Sequence, residues 1–166
     1  MQLEIREADL TDDSDGAAII ELLNSYASDP FGGGEPLPTD VISRLIPGLR
    51  AHPTTVVLLA FDNATAVGLA TCFLGFSTFK ARPLLNIHDF AVLPEYRGKG
   101  VGKSLLAAVE GSAKKRGCCK LTLEVLDDNE RAIGLYEHCG FSNYSLGDSK
   151  STRFLSKAIS TSPADQ

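Results

Sequence analysis

The chain has 166 residues, a length that fits one domain and allows a sizeable core. Hydrophobic residues make up 43% and charged residues 22%, proportions of a globular protein that argue against disorder. The net charge of −5 argues against a dedicated nucleic-acid binder, because phosphate binding needs a basic surface. No apolar stretch is long enough to span a membrane, and residues 1–7 do not have the pattern of a signal or transit peptide.

The four cysteines indicate neither a zinc site nor a disulfide framework. They are Cys72, Cys118, Cys119 and Cys139, and no pair has the CxxC spacing of a zinc ligand set. Without an export signal we expect reduced thiols that serve mainly in packing. We therefore expect a cytoplasmic protein without a metal.

The first half of the chain predicts a strand, two helices and a hairpin. The strand begins at Leu3, and helical spacing of apolar residues follows at 12–27 and 41–49. Pro47 should kink or interrupt the second helix, because it lacks an N–H and clashes with the preceding turn. Between the helices, three consecutive glycines predict a flexible loop. The hairpin strands are expected at 55–61 and 66–79.

The second half predicts alternating strands and helices. Strands are expected at 84–92, 121–125, 141–144 and 153–159, and helices at 101–117 and 129–139. This order predicts a single α/β domain over residues 1–159 with a mixed sheet. Residues 160–166 are short and polar, and we expect a flexible tail there.

A glycine-rich turn lies between the strand expected at 84–92 and the next helix. Gly98, Gly100 and Gly102 allow the backbone to tighten and to approach a ligand closely. The helix start offers unpaired N–H groups with partial positive charge. Positive side chains come from Arg97, Lys99 and Lys103. The turn is therefore a candidate anion site, with a ligand-free turn as the alternative.

Two familiar phosphate motifs do not fit this turn. Gly102-Lys103-Ser104 matches the end of a P-loop, but Arg97 stands where its first glycine is required. A dinucleotide fingerprint needs a third glycine where this chain has Lys103.

Two motifs resemble those of the GNAT acetyltransferase superfamily. The coenzyme A loop of that family reads Arg/Gln-x-x-Gly-x-Gly/Ala, and residues 97–102 read Arg-Gly-Lys-Gly-Val-Gly. The second motif is an Asn near a helix start, then Ala, Leu-Tyr and Gly-Phe. Here it is Asn129, Ala132, Leu135-Tyr136 and Gly140-Phe141. The interval and the element order also agree, and the resemblance is strongest over 84–141.

The resemblance implies a sheet of about seven mostly antiparallel strands with about four helices. It also implies acetyl-CoA as co-substrate, with its pantetheine arm in a V-shaped opening between the strands 84–92 and 121–125. The pyrophosphate would rest on the amides of 98–103, and Asn129 would help to hold the pantetheine arm. The implied cofactor-binding residues are Phe90, Ala91, Val92, Arg97, Gly98, Lys99, Gly100, Val101, Gly102, Lys103 and Asn129.

Acetyl transfer to an amine requires a neutral amine, so a base or a water relay must remove a proton. His88 and Asp89 interrupt an apolar strand and are equal candidates, of which only one should face the site if neighbours alternate. Glu124 ranks behind them, at the position where the similar ribosomal-protein alanine acetyltransferases place their base. Polyamine acetyltransferases have Glu-Asp at the matching pair, so His88 weakens a polyamine assignment.

The other two catalytic tasks also have candidates. The backbone N–H groups near Ala91 and Val92 are candidates for stabilising the oxyanion. The resemblance assigns Tyr136 to the leaving sulfur, by hydrogen bonding or by proton transfer. A core aromatic residue is the alternative interpretation of Tyr136.

The acceptor is not identified by any motif. In this family it usually contacts the first two helices and their loop, here residues 26–39 with Asp29 and Glu35. Phe73, Phe76 and Phe79 either line the pocket or fill the core. We expect a small-molecule or peptide amine as the acceptor and no nucleic-acid or membrane partner. A homodimer is compatible with the sequence. The alternative function is a non-catalytic sensor that binds acyl-CoA.

Overall fold

The computed structural model describes residues 1–143, which form one five-stranded sheet with helices on both faces. The strands are β1 (Leu3–Glu7), β2 (Thr55–Asp62), β3 (Thr65–Ser77), β4 (Arg82–Val92) and β5 (Leu121–Leu123). The α-helices are α1 (Asp13–Ala27), α2 (Thr39–Ala51), α3 (Val101–Lys115) and α4 (Glu130–His138). The prediction of about four helices is confirmed.

The sheet has the order β1-β2-β3-β4-β5. The first three pairs are antiparallel and the β4–β5 pair is parallel, so the sheet is mixed. The expectation of about seven mostly antiparallel strands was wrong: the described residues hold five, in a mixed sheet. Residues 141–143 of the first predicted closing strand are not in a strand. The second, at 153–159, lies outside the described residues, as does the tail predicted at 160–166.

Two apolar clusters lie on opposite faces of the sheet. One joins α3 and α4 to the sheet and contains fully buried Leu105 and Val109. The other joins α1 and α2 to the opposite face around Ile19, Leu59 and Leu69, which are also fully buried. Alternating strand residues supply the two clusters, because successive side chains point to opposite faces.

The start of α1 is fixed by a cap and an ion pair. The Asp12 carboxylate accepts hydrogen bonds from the N–H groups of Ser14 and Asp15, as its N-cap position predicts. Asp15 is 2% exposed, and both its oxygens accept from Arg6 on β1 at 2.6 and 2.7 Å. This bidentate pair holds the helix against the sheet edge.

Pro47 does not interrupt α2, which continues to Ala51. The missing N–H removes one intrahelical hydrogen bond, while the last turn keeps the bond from His52 N–H to Gly48 O at 3.0 Å. Packing of Leu49 in the apolar cluster supports the turn after the proline.

A β-bulge interrupts β4 beside the middle of the sheet. Thr71 of β3 lies opposite Asp89, and the next residue, Cys72, lies opposite Ile87. His88 is therefore an extra residue in β4, and the alternation of side chains shifts by one at this point.

The strand β5 is shorter than expected. It ends at Leu123 instead of Val125. Leu123 pairs with Ile87 of β4, and β4 continues for five residues beyond Ile87. The two parallel strands therefore separate at one end of the sheet, and a gap opens between them.

All four cysteines are free thiols in the structure. None of the helices within residues 1–143 combines the length and the apolar character that crossing a membrane requires.

Candidate active site

The gap between β4 and the chain after β5 holds a cavity of about 1010 Å³. One wall is the end of β4, and the other is the segment from Leu123 to Asn129 with α4. The start of α3 closes one end of the cavity. Tyr26, on α1, and Phe31, in the loop after α1, line another side. The cavity thus joins four parts of the chain that are distant in sequence.

The glycine-rich turn forms the α3 end of this cavity. Gly98 and Gly100 have φ values of +74° and +86°, in the left-handed region that favours glycine. The first hydrogen bond of α3 runs from Ser104 N–H to Gly100 O at 3.1 Å. The N–H groups of residues 101–103 therefore have no partner within the helix and are available to an anion beside the cavity.

Most of the predicted cofactor-binding residues line the cavity. They are Phe90, Ala91, Val92, Arg97, Gly98, Gly100, Gly102, Lys103 and Asn129. Lys99 and Val101 do not line it with their side chains. Lys99 Nζ lies 5.3 Å from the centre of the Tyr96 ring, and the Val101 side chain is buried in the core. These two residues can contribute to the site through their backbone.

The side chain of Arg97 is engaged within the protein. Its Nε donates to Val92 O at 2.9 Å, and a terminal nitrogen donates to Asp29 Oδ2, also at 2.9 Å. The turn therefore presents the amides of the helix start to the cavity, while its arginine links β4 to the loop after α1.

Asp29 is consequently not a free carboxylate. Its pKa is lowered, first by the hydrogen bond from Phe31 N–H and further by Arg97 and Arg131, against the opposing effect of burial. The attraction that a carboxylate on this loop would exert on a cationic amine is offset by Arg97.

The backbone of β4 faces the gap at alternate residues. Leu93 N–H donates to Val67 O, which makes the Gly68–Val92 pair a non-hydrogen-bonded pair of the antiparallel ladder. The backbone groups of Val92 and Phe90 therefore point away from β3, toward the gap, and those of Ala91 point toward β3. Of the two predicted oxyanion donors, Val92 faces the gap and Ala91 does not, whereas Phe90 does.

Tyr136 lies on α4 at the wall of the cavity and is 8% exposed. Its ring contacts Phe90 at 6.0 Å and Phe141 at 5.7 Å between ring centres. Within residues 1–143 its hydroxyl makes no hydrogen bond. Burial, with a smaller contribution from Tyr26, raises the pKa of Tyr136 to about 12. The side chain is thus both a core aromatic residue and a protonated donor at the cavity wall.

Asn129 is the N-cap of α4 and also lines the cavity. Its Oδ1 accepts a hydrogen bond from Ala132 N–H at 3.2 Å. The side-chain NH₂ group remains a donor, so capping leaves Asn129 able to contact a ligand.

The bulge places both His88 and Asp89 on the α1/α2 side of the sheet. The His88 ring lies 5.6 Å from the ring of Phe73, and the charge of Asp89 helps to raise the pKa of Tyr26; both neighbours pack in the α1/α2 cluster. The assumption of regular alternation behind our expectation for this pair does not hold at the bulge.

The two side chains have different environments. His88 is exposed and lines the cavity. Asp89 does not line it, and burial raises the pKa of its carboxyl, an effect that His88 opposes. Thr71, on the residue opposite, has a buried hydroxyl, and this side chain also opposes the rise in the pKa of Asp89. His88 is therefore the better-placed base, and Asp89 a half-buried acid behind it.

Glu124 is exposed and lines the cavity just beyond the end of β5. It stands on the wall opposite His88, so the structure brings together two of the three predicted base candidates.

Two cavity residues, Tyr26 and Phe31, fall in the stretch 26–39 that we expected to contact the acceptor. The polar residues Asn86 and Arg131 also line the cavity and were not proposed as site residues from the sequence. Asn86 Nδ2 donates to Thr122 Oγ1 at 3.0 Å, across the last paired residues of β4 and β5. Arg131 follows Asn129 by two residues, and its charge beside the family-like motif was a signal that could have identified it.

These residues fit acetyl-CoA. Unpaired helix amides, two glycines of positive φ and the cations Lys103 and Arg131 suit a pyrophosphate. Beyond Ile87 the edge of β4 has no neighbouring strand, and such an edge suits an extended amide-containing arm, which can add to a sheet as a strand does.

Comparisons with solved structures support the fold. An integron cassette protein from the mobile metagenome of V. cholerae superposes with a TM-score of 0.75 at 22% identity, over 94% of each chain. An aminoglycoside acetyltransferase from an uncultured soil metagenomic sample, solved with sisomicin, gives a TM-score of 0.74 at 17% identity. That match covers 95% of this chain and 97% of the other.

Sequence comparison adds a curated enzyme and a family. The thialysine N-epsilon-acetyltransferase of Bos taurus is 40% identical over 74 residues, which are 45% of this chain and 43% of that protein. The match thus spans less than half the length of this relative. The sequence model of the Acetyltransferase (GNAT) family matches residues 18–141, from α1 to the end of the second motif. The chain belongs to the GNAT acetyltransferase family.

Proposed function

We propose that this protein transfers an acetyl group from acetyl-CoA directly to a primary amine of a small molecule or peptide. The observation that carries the proposal is the single cavity that joins the α3 start, Tyr136 and His88. The bovine relative, named as an enzyme that acetylates an N-epsilon amine, supports a side-chain-like amine as acceptor.

Donor binding rests mainly on backbone groups. The amides of residues 101–103 hold the pyrophosphate, and Lys103 and Arg131 add positive charge. Asn129 donates its side-chain NH₂ group to the pantetheine arm, which lies along the open edge at Phe90 and Val92. Acetyl-CoA supplies a thioester that an amine can attack.

The open edge of β4 also stabilises charge. Phe90 N–H and Val92 N–H point toward the gap, where the carbonyl oxygen becomes negative during attack. Rigid donors aimed at that oxygen favour the transition state over the ground state. These two amides replace Ala91 and Val92 as the proposed donors.

His88 is the proposed base, acting directly or through a water. A lysine-like amine titrates near ~10.4 and must lose a proton before it can attack. Imidazole titrates near neutral pH, and His88 is exposed to the cavity. Glu124 on the facing wall is the alternative base, and Asp89 contributes charge from behind His88.

Tyr136 stabilises the leaving sulfur by a hydrogen bond. Its pKa of about 12 lies far above that of a thiol, near ~8.5, so full proton transfer would be uphill by about 5 kcal/mol. A hydrogen bond from the neutral hydroxyl stabilises the thiolate without that transfer. The hydroxyl is available, because no other described residue binds it.

We further propose a cytoplasmic location, supported by the four free thiols. An independent domain spanning 1–159, a homodimer, and the absence of nucleic-acid and membrane partners stay predictions from the sequence.

The test is release of free thiol from acetyl-CoA across a panel of acceptors. The panel contains thialysine, lysine, polyamines and peptides with free N-termini. We expect release that depends on the amine, with thialysine or lysine among the substrates. Tight acetyl-CoA binding without release for any acceptor would instead support the acyl-CoA sensor. Absence of any effect of acetyl-CoA on the melting temperature would contradict both functions.

A further inference from the structure

The ion pair between Asp29 and Arg97 joins two loops on different sides of the cavity. The two residues are 68 positions apart, and their side chains are 14% and 24% exposed. Both line the cavity. Partly buried, charge-assisted hydrogen bonds of this kind are stronger than exposed surface pairs.

Asp29 organises the loop that follows α1. Its backbone carbonyl accepts from Gly32 N–H at 2.8 Å and Gly34 N–H at 3.1 Å, and its Oδ1 accepts from Phe31 N–H at 3.1 Å. A Cβ at position 32 would lie 1.8 Å from Tyr26 O, so this path of the loop requires glycine. The result is a compact turn that directs Phe31 to the cavity.

Arg97 anchors this turn to the donor side. Its Nε bonds Val92 O, the carbonyl at the open end of β4, while its terminal nitrogen bonds Asp29. One guanidinium therefore connects the β4 edge with the loop that carries Phe31. Only a forked side chain can make both bonds at once.

We propose that the Asp29–Arg97 pair is a positioning device that fixes the acceptor-side wall at Phe31 to the end of β4. The inference rests on the proposed function, because it divides the cavity into donor and acceptor sides. Arg97 then acts on the reaction through Asp29 and Val92, and the donor phosphates are left to the helix amides with Lys103 and Arg131. Asp29 orders the acceptor wall at a cost to donor affinity, because its negative charge faces an anion site.

The chain contains no tryptophan, so a Phe31→Trp substitution gives a unique fluorescent reporter of this wall. Within that background, Asp29→Asn removes the charge and keeps an oxygen for Phe31 N–H. Arg97→Gln keeps a donor for only one of the two partners, and Gln is a residue that the family motif accepts at this position. Glu35→Gln is the matched control, because Glu35 is an exposed carboxylate of the same loop.

We expect Asp29→Asn and Arg97→Gln each to shift the tryptophan emission to longer wavelength and to increase acrylamide quenching about twofold or more, as a half-buried ring becomes solvated. Glu35→Gln should change neither signal. The double variant should match the stronger single variant, because both substitutions break one contact. Unchanged emission in both single variants, or additive effects in the double variant, would overturn the proposal.

Acetyl-CoA affinity, measured by calorimetry, gives the second readout. Asp29→Asn should tighten binding about threefold, since a negative charge near a polyanion is removed, although the acceptor wall is loosened. A purely structural role would instead weaken donor binding together with the loss of order. Neither readout depends on turnover, so an inactive wild-type protein would count against the proposed function while these measurements still decide the inference.

Discussion

We propose a donor side and an acceptor side of the cavity, and the two are built in different ways. The donor side uses backbone groups of consecutive residues, 98–103, whose path depends on two glycines of positive φ. The acceptor side uses side chains from α1, its following loop, β4 and the segment after β5. It depends on the register of the sheet, on the bulge at His88 and on the Asp29–Arg97 pair.

The two sides therefore tolerate different changes. A backbone site survives many side-chain substitutions but fails when the backbone path changes. A site made of side chains can be altered one residue at a time, so proteins that share the same donor can differ in the acceptor they use. Substitutions on each side of the cavity test that distinction.

Removing the base should give the largest loss. We expect His88→Ala to lower kcat/KM about 100-fold, within the usual range for loss of a positioned base. The acidic limb of the pH–rate profile should disappear with it, because that limb reports protonation of the base. Glu124→Gln should keep the limb. The assignment moves to Glu124 if the two variants behave the other way round.

Distorting the donor turn should weaken binding without needing any acceptor. Gly100 has φ +86°, and a β-branched residue there costs on the order of 2 kcal/mol of strain. Gly100→Val should therefore raise the Kd for acetyl-CoA about 30-fold by calorimetry. Gly111→Ala is the control, since a Cβ at this α3 position meets nothing within 4 Å. Normal acetyl-CoA binding by Gly100→Val would remove the turn from the donor site.

Removing the Tyr136 hydroxyl should affect turnover alone. We expect Tyr136→Phe to lower kcat about tenfold, the value of one hydrogen bond to a developing charge. The Kd for acetyl-CoA should stay within twofold, because the ring keeps its contacts with Phe90 and Phe141. Tyr96→Phe, on a ring outside the cavity, should leave kcat unchanged. Equal turnover by the Tyr136 variant and wild type would assign Tyr136 to packing.

Neutralising Asp89 should stabilise the fold slightly. Burial raises its pKa, so the charged form is disfavoured in the folded protein and lowers stability above the folded pKa. Asp89→Asn should raise the free energy of unfolding at pH 7 by about 1 kcal/mol, measured by urea denaturation. The gain should shrink as pH falls through the folded pKa of Asp89. The control Glu35→Gln, on an exposed loop, should change the free energy of unfolding little. A lower free energy of unfolding for Asp89→Asn than for wild type at pH 7 would contradict this explanation.

The sequence was sufficient for the geometry of the glycine-rich turn and of the α4 start because the signals there are local. The glycines of residues 98–102 and the capping residue Asn129 act within their own turns, so their spacing predicts their geometry. The order of strands and helices over residues 1–139 was likewise predictable from the spacing of apolar residues, although the number of strands was not.

The acceptor side could not be predicted in the same way. The bulge at His88 arises from pairing between β3 and β4, and an alternating pattern in β4 alone does not indicate it. The Asp29–Arg97 pair joins residues that no spacing rule connects. Phe31 reaches the cavity through the fold of the loop after α1, and Tyr26 reaches it from the last turn of α1.

The most direct test of the central claim is a two-substrate initial-rate measurement with acetyl-labelled acetyl-CoA and thialysine. The account predicts release of thiol that depends on both substrates, intersecting double-reciprocal lines, and the label on the amine nitrogen. Direct transfer also predicts no labelled protein when the amine is omitted. Label on the protein itself, or binding of acetyl-CoA with no transfer to any amine of the panel, would contradict the account.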